Sequence, residues 1–259
     1  MSQRVAFETK EGAAFLTLNR PEKKNAIDDL AVEELIARFD EADRDDNVRA
    51  IVFKATGDVF SAGADLAYLR RLSENTSAAN FEDSCALKDM LIKIYRSKKL
   101  TCSVVRGAAL AGAFGLVLAS DIVFASEKAK FGFTEVKIGF VPAVVLNFAL
   151  RKLRETDVRL LSLTGKIIGQ EEALRMGVIT EIVDDNAIDD RVNEFLSGFA
   201  RGTSGGAVSL TKTLLSELKE MSLEQALNYS AMMNVVARST EHFRKGVDAF
   251  LNKKQLEWK

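Results

Sequence analysis

The chain opens with two short runs, at residues 5–9 and 14–18, in which apolar and polar residues alternate weakly. A period of two is typical of half-buried strands, and the glycine-containing pair Glu11-Gly12 between the runs favours a turn. The pattern therefore predicts a β-hairpin, and Asn19-Arg20-Pro21 is predicted to form the turn that ends its second strand.

Further along, apolar runs of strand type alternate with stretches of helical spacing. The pattern predicts strands at residues 49–55, 102–105, 121–125, 130–133 and 179–183. It predicts helices at residues 28–42 and 81–98, a helical stretch from residue 144, and amphipathic helices at roughly 189–201, 205–219, 223–237 and 240–253. Strands that alternate with helices and then give way to helices alone indicate an α/β (or α+β) fold with a helical C-terminal region.

Composition narrows the possible partners. The 259 residues carry a formal net charge of −1, which gives no sign of the basic face that nucleic-acid binding needs. The charged N-terminus lacks the apolar core of a signal peptide, and the longest apolar run, near residues 108–119, is too short for a membrane span. One histidine, His242, and two cysteines are too few for a His-rich or Cys-rich metal site or a disulfide framework. We expect a cytoplasmic protein with no metal, nucleic-acid or membrane partner.

Two segments rich in small residues, 60–66 and 107–115, each follow a predicted strand. Small residues let a backbone approach a ligand closely, and N–H groups at the start of a helix have no intrahelical acceptor. Two such N–H groups that converge from different segments would form an oxyanion hole. For either segment alone, close packing of a helix on a strand is the better explanation. Neither has the spacing of a phosphate-binding or dinucleotide-binding loop.

Taken together and in chain order, the motifs resemble the enoyl-CoA hydratase/isomerase (crotonase) superfamily over nearly the whole chain. The resemblance rests on residues 19–26 (NRPEKKNA), 60–66 (FSAGADL), 107–122, 130–142 (KFGFTEVKIGFVP), 165–177 and 246–251 (GVDAFL). It implies a spiral of ββα units with two roughly perpendicular sheets over residues 1–195, and a helical oligomerisation region over residues 196–259. It also implies a homotrimer or hexamer and an acyl-CoA substrate. No separate cofactor is expected, because coenzyme A is part of that substrate.

By the same resemblance, the catalytic groups are two backbone N–H groups and one carboxylate. The N–H groups of Ala64 and Gly112 would hold the thioester oxygen and stabilise the enolate that forms there. Glu135 would be the acid/base, because apolar neighbours in sequence should raise the pKa of its carboxyl group. Without the motif, a solvent-facing glutamate would be the better interpretation.

The resemblance also implies contacts with coenzyme A and the acyl group. The residues expected to bind coenzyme A or other parts of the substrate are Lys23, Lys24, Ala26, Ala62, Asp65, Leu66, Ala111, Gly115, Thr134, Phe250 and Lys253. The first two lysines would lie near the phosphates, whereas Phe250 and Lys253 would reach the coenzyme A of a neighbouring subunit. The candidates for the acyl pocket are Tyr68, Leu91, Phe140 and Val144. Surface charge explains each lysine about equally well, and helix packing also explains the pocket candidates.

The chain departs from the family pattern at Gly115, where typical hydratases have a second glutamate. Glu135 alone could hydrate a 2-enoyl-CoA, and the room left by Gly115 could then admit a branched, methylglutaconyl-like acyl group. Glu135 could instead move one proton between the α and γ carbons, as in a Δ3,Δ2-enoyl-CoA isomerase. A third possibility is a homologue that binds acyl-CoA without turning it over, for which the missing glutamate is the only support.

Overall fold

The computed structural model describes residues 3–256 and Trp258. Its strands are β1 (Val5–Lys10), β2 (Ala13–Leu18), β3 (Ala50–Ala55), β4 (Leu100–Val105), β5 (Ala108–Leu110), β6 (Ile122–Ser126), β7 (Lys130–Gly132), β8 (Ile168–Gly169) and β9 (Glu181–Val183). Its helices are α1 (Asp29–Arg44), α2 (Leu66–Ser73), α3 (Ser77–Arg96), α4 (Gly112–Ala119), α5 (Ala143–Lys152), α6 (Glu155–Thr164), α7 (Gln170–Met176), α8 (Ile188–Gly202), α9 (Gly205–Glu217), α10 (Leu223–Ser239) and α11 (Glu241–Leu251). Shorter 3-10 helices lie at Pro21–Lys23, Glu135–Ile138 and Leu218–Glu220.

The larger sheet has six strands in the order β1-β2-β3-β4-β6-β9. The predicted hairpin is confirmed, since β1 pairs with β2 in antiparallel register from Val5 opposite Leu18 to Lys10 opposite Ala13. Its turn residues Glu11 and Gly12 have φ of 50° and 77°, as a two-residue turn that matches the twist of the strands requires. The other strand pairs of this sheet are parallel, so their carboxyl ends lie at one edge.

A smaller sheet has three strands in the order β5-β7-β8. Each strand has only two or three residues, and hydrophobic alternation cannot be recognised over so short a run. The sequence pattern therefore missed β5 and β8. Because β5 follows β4 and β7 follows β6, the chain passes repeatedly from the larger sheet to the smaller one. The predicted α/β fold with a C-terminal helical region is confirmed.

Two apolar cores flank the larger sheet. One packs α1, α3 and α4 against one face, with Leu35, Leu91 and Phe114 fully or almost fully buried. The other packs α8 against the opposite face through Ile188, Val192 and Leu196. The domain boundary predicted after residue 195 therefore falls inside α8, a single helix that is packed on the sheet. The division of the chain into two regions and the role of the second in oligomerisation stay predictions.

The C-terminal helices are tied to the sheet by a buried lysine. Lys212 on α9 donates hydrogen bonds from Nζ to the Asp121 carboxylate at 2.5 Å and to the backbone oxygen of Lys99 at 2.7 Å. Among its described residues, α10 buries none, and it exposes apolar side chains that include Leu223 and Val235. No helix in the described part of the chain combines the length and apolar character that a membrane crossing requires.

Candidate active site

Two loops meet at the carboxyl ends of β3 and β4. The N–H of Ser61 donates to the oxygen of Ala108 at 2.9 Å, and the N–H of Leu110 donates back to the oxygen of Ser61 at 3.1 Å. Gly63 follows with a φ of +95°, a conformation that side chains disfavour. A Cβ built on it would lie 2.8 Å from the Cβ of Ala111, so the loops are in direct contact.

The residues after this contact are the predicted oxyanion donors, Ala64 and Gly112. Within residues 3–256 and Trp258, neither of their N–H groups donates to a protein acceptor. Gly112 is the first residue of α4, where the helix dipole favours negative charge. A Cβ on Gly112 would meet no heavy atom within 4 Å, so the space beside this residue is open. The contact between Gly63 and Ala111 brings the next residues, Ala64 and Gly112, near each other, and donation by their N–H groups to an anionic oxygen stays a prediction.

Ala111 sits immediately before α4 in a strained conformation. Its φ of 52° and ψ of −130° lie in a region that glycine occupies readily and alanine does not. Its N–H donates to the oxygen of Gly132 at 2.9 Å, and its own oxygen accepts from the N–H of Phe114 at 2.9 Å. The first of these hydrogen bonds connects the start of α4 to β7, and the second lies within the first turn of α4. Contact of Ala111 with the substrate stays a prediction.

Glu135 lies just beyond β7, at the first residue of a 3-10 helix. It is only 6% exposed, and its Oε2 has no hydrogen-bond partner in the described part of the chain. Burial raises the pKa of Glu135, and a hydrogen bond from its own backbone N–H opposes that rise. The ring of Phe133, two residues earlier, packs 4.8 Å from the ring of Phe114 on α4. Glu135 is therefore buried and not solvent-facing, and its role as the acid/base stays a prediction.

Gly115 does not leave the room that its small size suggests. A Cβ on Gly115 would lie 2.3 Å from Val145 Cγ1 and 3.2 Å from Leu91 Cδ1. Val145 on α5 and Leu91 on α3 therefore fill the volume beside α4 with hydrocarbon. The absence of a side chain at Gly115 therefore opens no space on the side of Val145, and a branched acyl group stays a prediction. The same contact explains why a second carboxylate cannot be accommodated here without a shift of α5.

The predicted coenzyme A residues before and within the first loop lie together. The N–H of Ala62 donates to the oxygen of Lys24 at 3.0 Å, and the N–H of Ile27 donates to the oxygen of Gly63 at 2.8 Å. Lys23 and Lys24 are exposed and Ala26 is half-buried. The apolar side chain of Leu66 is 73% exposed. Exposed cations beside an exposed apolar side chain suit a ligand that has phosphates and a flat ring, although their contact with coenzyme A stays a prediction.

Three further residues were expected to contact the substrate, two near the C-terminus and one beside Glu135. Phe250 on α11 is 83% exposed, and Lys253 lies just beyond that helix. Their reach to a neighbouring subunit stays a prediction. Thr134 precedes Glu135 and is half-buried.

Among the candidates for the acyl pocket, Leu91 is a core residue with no exposed surface. Val144 lines a groove of about 790 Å³ between α3, α5 and the end of α9, together with Phe81, Cys85 and Tyr95. Tyr68 and Phe140 are not part of that lining. The assignment of these four residues to an acyl pocket stays a prediction.

The sequence motifs did not single out two residues that hold the first loop. Asn25 is buried, and its Nδ2 donates to the oxygens of Thr56 and Val59, each at 2.8 Å. Arg20 forms ion pairs with Asp28 at 3.0 Å and with Asp65 at 2.9 Å. The other oxygen of Asp65 accepts from the N–H of Ala67 at 2.8 Å, so both carboxylate oxygens are engaged within the protein. The side chain of Asp65 thus supports the loop. Its backbone is engaged as well, since its N–H donates to the oxygen of Ile27 and its oxygen accepts from the N–H of Leu69, each at 2.9 Å. Contact of Asp65 with coenzyme A stays a prediction.

The described residues bring no three histidine, cysteine, aspartate or glutamate side chains together as a metal site.

Comparisons with known proteins show to which family the chain is similar. A family model described as enoyl-CoA hydratase/isomerase matches residues 8–259. A Thermus thermophilus protein assigned as an enoyl-CoA hydratase is 34% identical over 245 residues, which cover 95% of this chain and 96% of that protein. The trans-2-decenoyl-acyl-carrier-protein isomerase of Streptococcus mutans is 27% identical over 259 residues, with coverage of 97% and 96%. The crystal structure of an enoyl-CoA hydratase from Shewanella pealeana matches with a TM-score of 0.93 at 29% identity and covers 98% of this chain and 96% of that chain. The chain therefore belongs to the enoyl-CoA hydratase/isomerase family.

Proposed function

We propose that this enzyme transfers protons on an enoyl-CoA thioester while the N–H groups of Ala64 and Gly112 stabilise the enolate oxygen. The observation that carries the proposal is the contact of Gly63 with Ala111, which brings together two N–H groups that have no acceptor among the described residues. A thioester oxygen gains negative charge when a proton leaves the α carbon or a nucleophile adds to the β carbon. Donors fixed in advance stabilise that charge more than they stabilise the ground state.

Glu135 is the acid/base in this proposal. Its buried Oε2 has no protein partner within the described ranges, so it is available to a water molecule or to a substrate C–H group. Burial raises the pKa of Glu135 and brings its protonation equilibrium nearer to neutral pH. A carboxyl group so tuned can both accept and donate a proton during one turnover.

Hydration of a 2-enoyl-CoA is the first candidate reaction. Glu135 would take a proton from water as the water oxygen bonds to the β carbon, and the electron pair of the double bond would move to the thioester oxygen. Glu135 would then return a proton to the α carbon, so that one water is added in total. The names of the Thermus and Shewanella relatives support this reaction.

Isomerisation of a 3-enoyl-CoA is the second candidate, and the surroundings of Gly115 favour it. Val145 and Leu91 place hydrocarbon where a second carboxylate would help to hold water. One carboxylate suffices for isomerisation, because Glu135 would remove a proton from the α carbon and return it to the γ carbon. The name of the Streptococcus relative supports this chemistry.

Mass spectrometry with a 2-enoyl-CoA and a 3-enoyl-CoA separates the candidates. A product heavier by one water from the 2-enoyl ester indicates hydration, whereas a moved double bond at unchanged mass indicates isomerisation. Binding of both esters without any turnover would support the non-catalytic alternative and contradict the proposal. Gly112→Val provides the test of the donor pair. Its added side chain meets open space within the protein, so the variant should fold but lose turnover.

We also propose that the enzyme works as a homotrimer or hexamer assembled through the C-terminal helices. The exposed apolar residues of α10 support this arrangement, because a contiguous apolar surface is typical of an interface. Light scattering during gel filtration gives the mass directly, and a monomer would contradict the proposal.

A further inference from the structure

One arginine connects the caps of two helices beside the proposed site. The Nη1 of Arg20 lies 3.0 Å from Asp28 Oδ2 and 2.9 Å from Asp65 Oδ2. The three side chains are 14%, 11% and 13% exposed, so the ion pairs are largely shielded from solvent. Asp28 accepts from the N–H of Ala31 at the start of α1, and Asp65 accepts from the N–H of Ala67 at the start of α2.

Asp65 directly follows Ala64, the first proposed donor. The backbone around Ala64 is fixed by Ile27, whose N–H donates to the oxygen of Gly63 at 2.8 Å and whose oxygen accepts from the N–H of Asp65 at 2.9 Å. Beyond Asp65, α2 buries none of its residues and provides little packing of its own. The ion pair of Arg20 with Asp65 is the side-chain anchor nearest to Ala64 on its C-terminal side, and a second, exposed ion pair joins Arg71 of α2 to Asp29 of α1.

Arg20 itself is held in place by its backbone. Its N–H donates to Asn25 Oδ1 at 2.8 Å, and the oxygen of Arg20 accepts from the N–H of Asn25 at 2.9 Å. Asn25 in turn donates to two carbonyls near the end of β3. Arg20, whose backbone is held near the end of β3 and whose guanidinium group pairs with Asp28 at the start of α1, thus fixes the loop that carries Ala64 relative to both elements.

We propose that Arg20 is a positioning residue for the reaction, which aims the N–H of Ala64 at the thioester oxygen by joining Asp65 to Asp28. The proposal rests on the proposed role of Ala64 as an oxyanion donor. A donor displaced by a fraction of an ångström still allows the substrate to bind but stabilises the developing charge less. Loss of Arg20 should therefore lower kcat more than it changes KM.

Arg4 offers a matched control. Its Nη2 lies 3.3 Å from the same Asp28 oxygen, and its side chain is 18% exposed, close to the 14% of Arg20. Arg4→Met removes a guanidinium group from Asp28 without touching Asp65. Asp65→Asn offers a second way to break the anchor, because the amide oxygen of asparagine can still cap α2 while the charge is lost.

The experiment compares Arg20→Met, Asp65→Asn, their double variant and Arg4→Met in the full-length enzyme. We expect kcat to fall roughly 10- to 100-fold in both single variants of the anchor, with KM changed by less than about threefold. The double variant should lose no more than the worse single variant, since both changes break the same contact. Arg4→Met should keep kcat within about threefold of the wild type. A rise in KM with unchanged kcat would assign Arg20 to substrate binding and overturn the proposal.

Hydrogen exchange read by mass spectrometry separates this proposal from the proposed function. The peptide that covers residues 60–66 should exchange faster in Arg20→Met and Asp65→Asn than in the wild type, and Arg4→Met should match the wild type. If the wild type turned over no enoyl-CoA, the proposed function would fail and this exchange would still test the anchor. Unchanged exchange in Arg20→Met, or equal losses of kcat in Arg20→Met and Arg4→Met, would overturn the role of Arg20.

Discussion

Gly63 and Ala111 touch at the point where the two loops of the site meet, since a Cβ on Gly63 would lie 2.8 Å from the Cβ of Ala111 and 3.0 Å from the oxygen of Leu110. Each residue directly precedes one of the proposed donors. The separation of the donors is therefore set by a contact that only a glycine can make at the first position.

Gly63→Ala should damage activity strongly. The new methyl group forces the loops apart, and the φ of +95° adds backbone strain. We expect kcat to fall by about 100-fold and the free energy of unfolding to fall by about 2 kcal/mol. Steady-state kinetics and urea unfolding measure the two effects. Gly198→Ala on α8 is the control, since its Cβ meets nothing within 4 Å. Wild-type kcat in Gly63→Ala would show that this contact does not determine the separation of the two proposed donors.

Ala111→Gly should have the opposite effect on stability. Alanine is strained at a φ of 52° and ψ of −130°, and glycine removes that strain at a smaller cost in chain entropy. We expect the free energy of unfolding to rise by about 1 kcal/mol, with kcat retained, because the backbone hydrogen bonds of this residue do not change. Thermal unfolding gives the answer, and a lower Tm in the glycine variant would contradict it.

The sequence was sufficient for the elements that have a clear period and for the motifs that lie within one segment. The hairpin β1–β2, the helix α1 and the buried Glu135 were all predicted in this way. The helix α2 was missed, although Leu66, Leu69 and Leu72 recur at helical spacing, because it has only eight residues and buries none of them.

Contacts between distant segments could not be predicted from local patterns. Arg20 meets Asp65 only after the helix α1 and the strand β3, which lie between them in the chain, have folded. At Gly115, the sequence shows a missing side chain, but the available volume depends on Val145 of another helix. A small residue in a motif therefore predicts a cavity only when its neighbours are known.

The buried carboxyl group should give stability a pH dependence of known sign. Burial raises the pKa of Glu135 above 4.5, so the folded state binds more protons than the unfolded state between 4.5 and the raised value. The contribution of Glu135 is present below 4.5 and is lost as pH rises through the raised pKa.

Glu135→Gln removes that titration and should also remove most of the activity. Its free energy of unfolding, relative to the wild type, should increase as pH rises from below 4.5 towards neutrality. Urea unfolding at several pH values measures the difference. Glu22→Gln, at an exposed position, shows the effect of losing an ordinary carboxylate. A difference that is flat with pH, or full activity in Glu135→Gln, would contradict the placement of Glu135.

The contact between Gly115 and Val145 allows a direct test of how the reaction is chosen. Gly115→Glu alone should disturb α5, because its Cβ would lie 2.3 Å from Val145 Cγ1. We expect this variant to lose about 2 kcal/mol of unfolding free energy. Adding Val145→Gly removes the obstructing methyl groups and should recover much of that stability, although glycine itself disfavours a helix by about 1 kcal/mol. By the family resemblance, the second carboxylate of the double variant would stand where two-glutamate hydratases have theirs, so the ratio of hydration to isomerisation should rise at least about tenfold. Val145→Gly alone is the control, since it opens the space without adding a carboxylate.

If the single and double variants had equal stability, Val145 would not be the residue that excludes a glutamate. If the double variant folded well with an unchanged product ratio, a second carboxylate at this position would not decide between the two reactions.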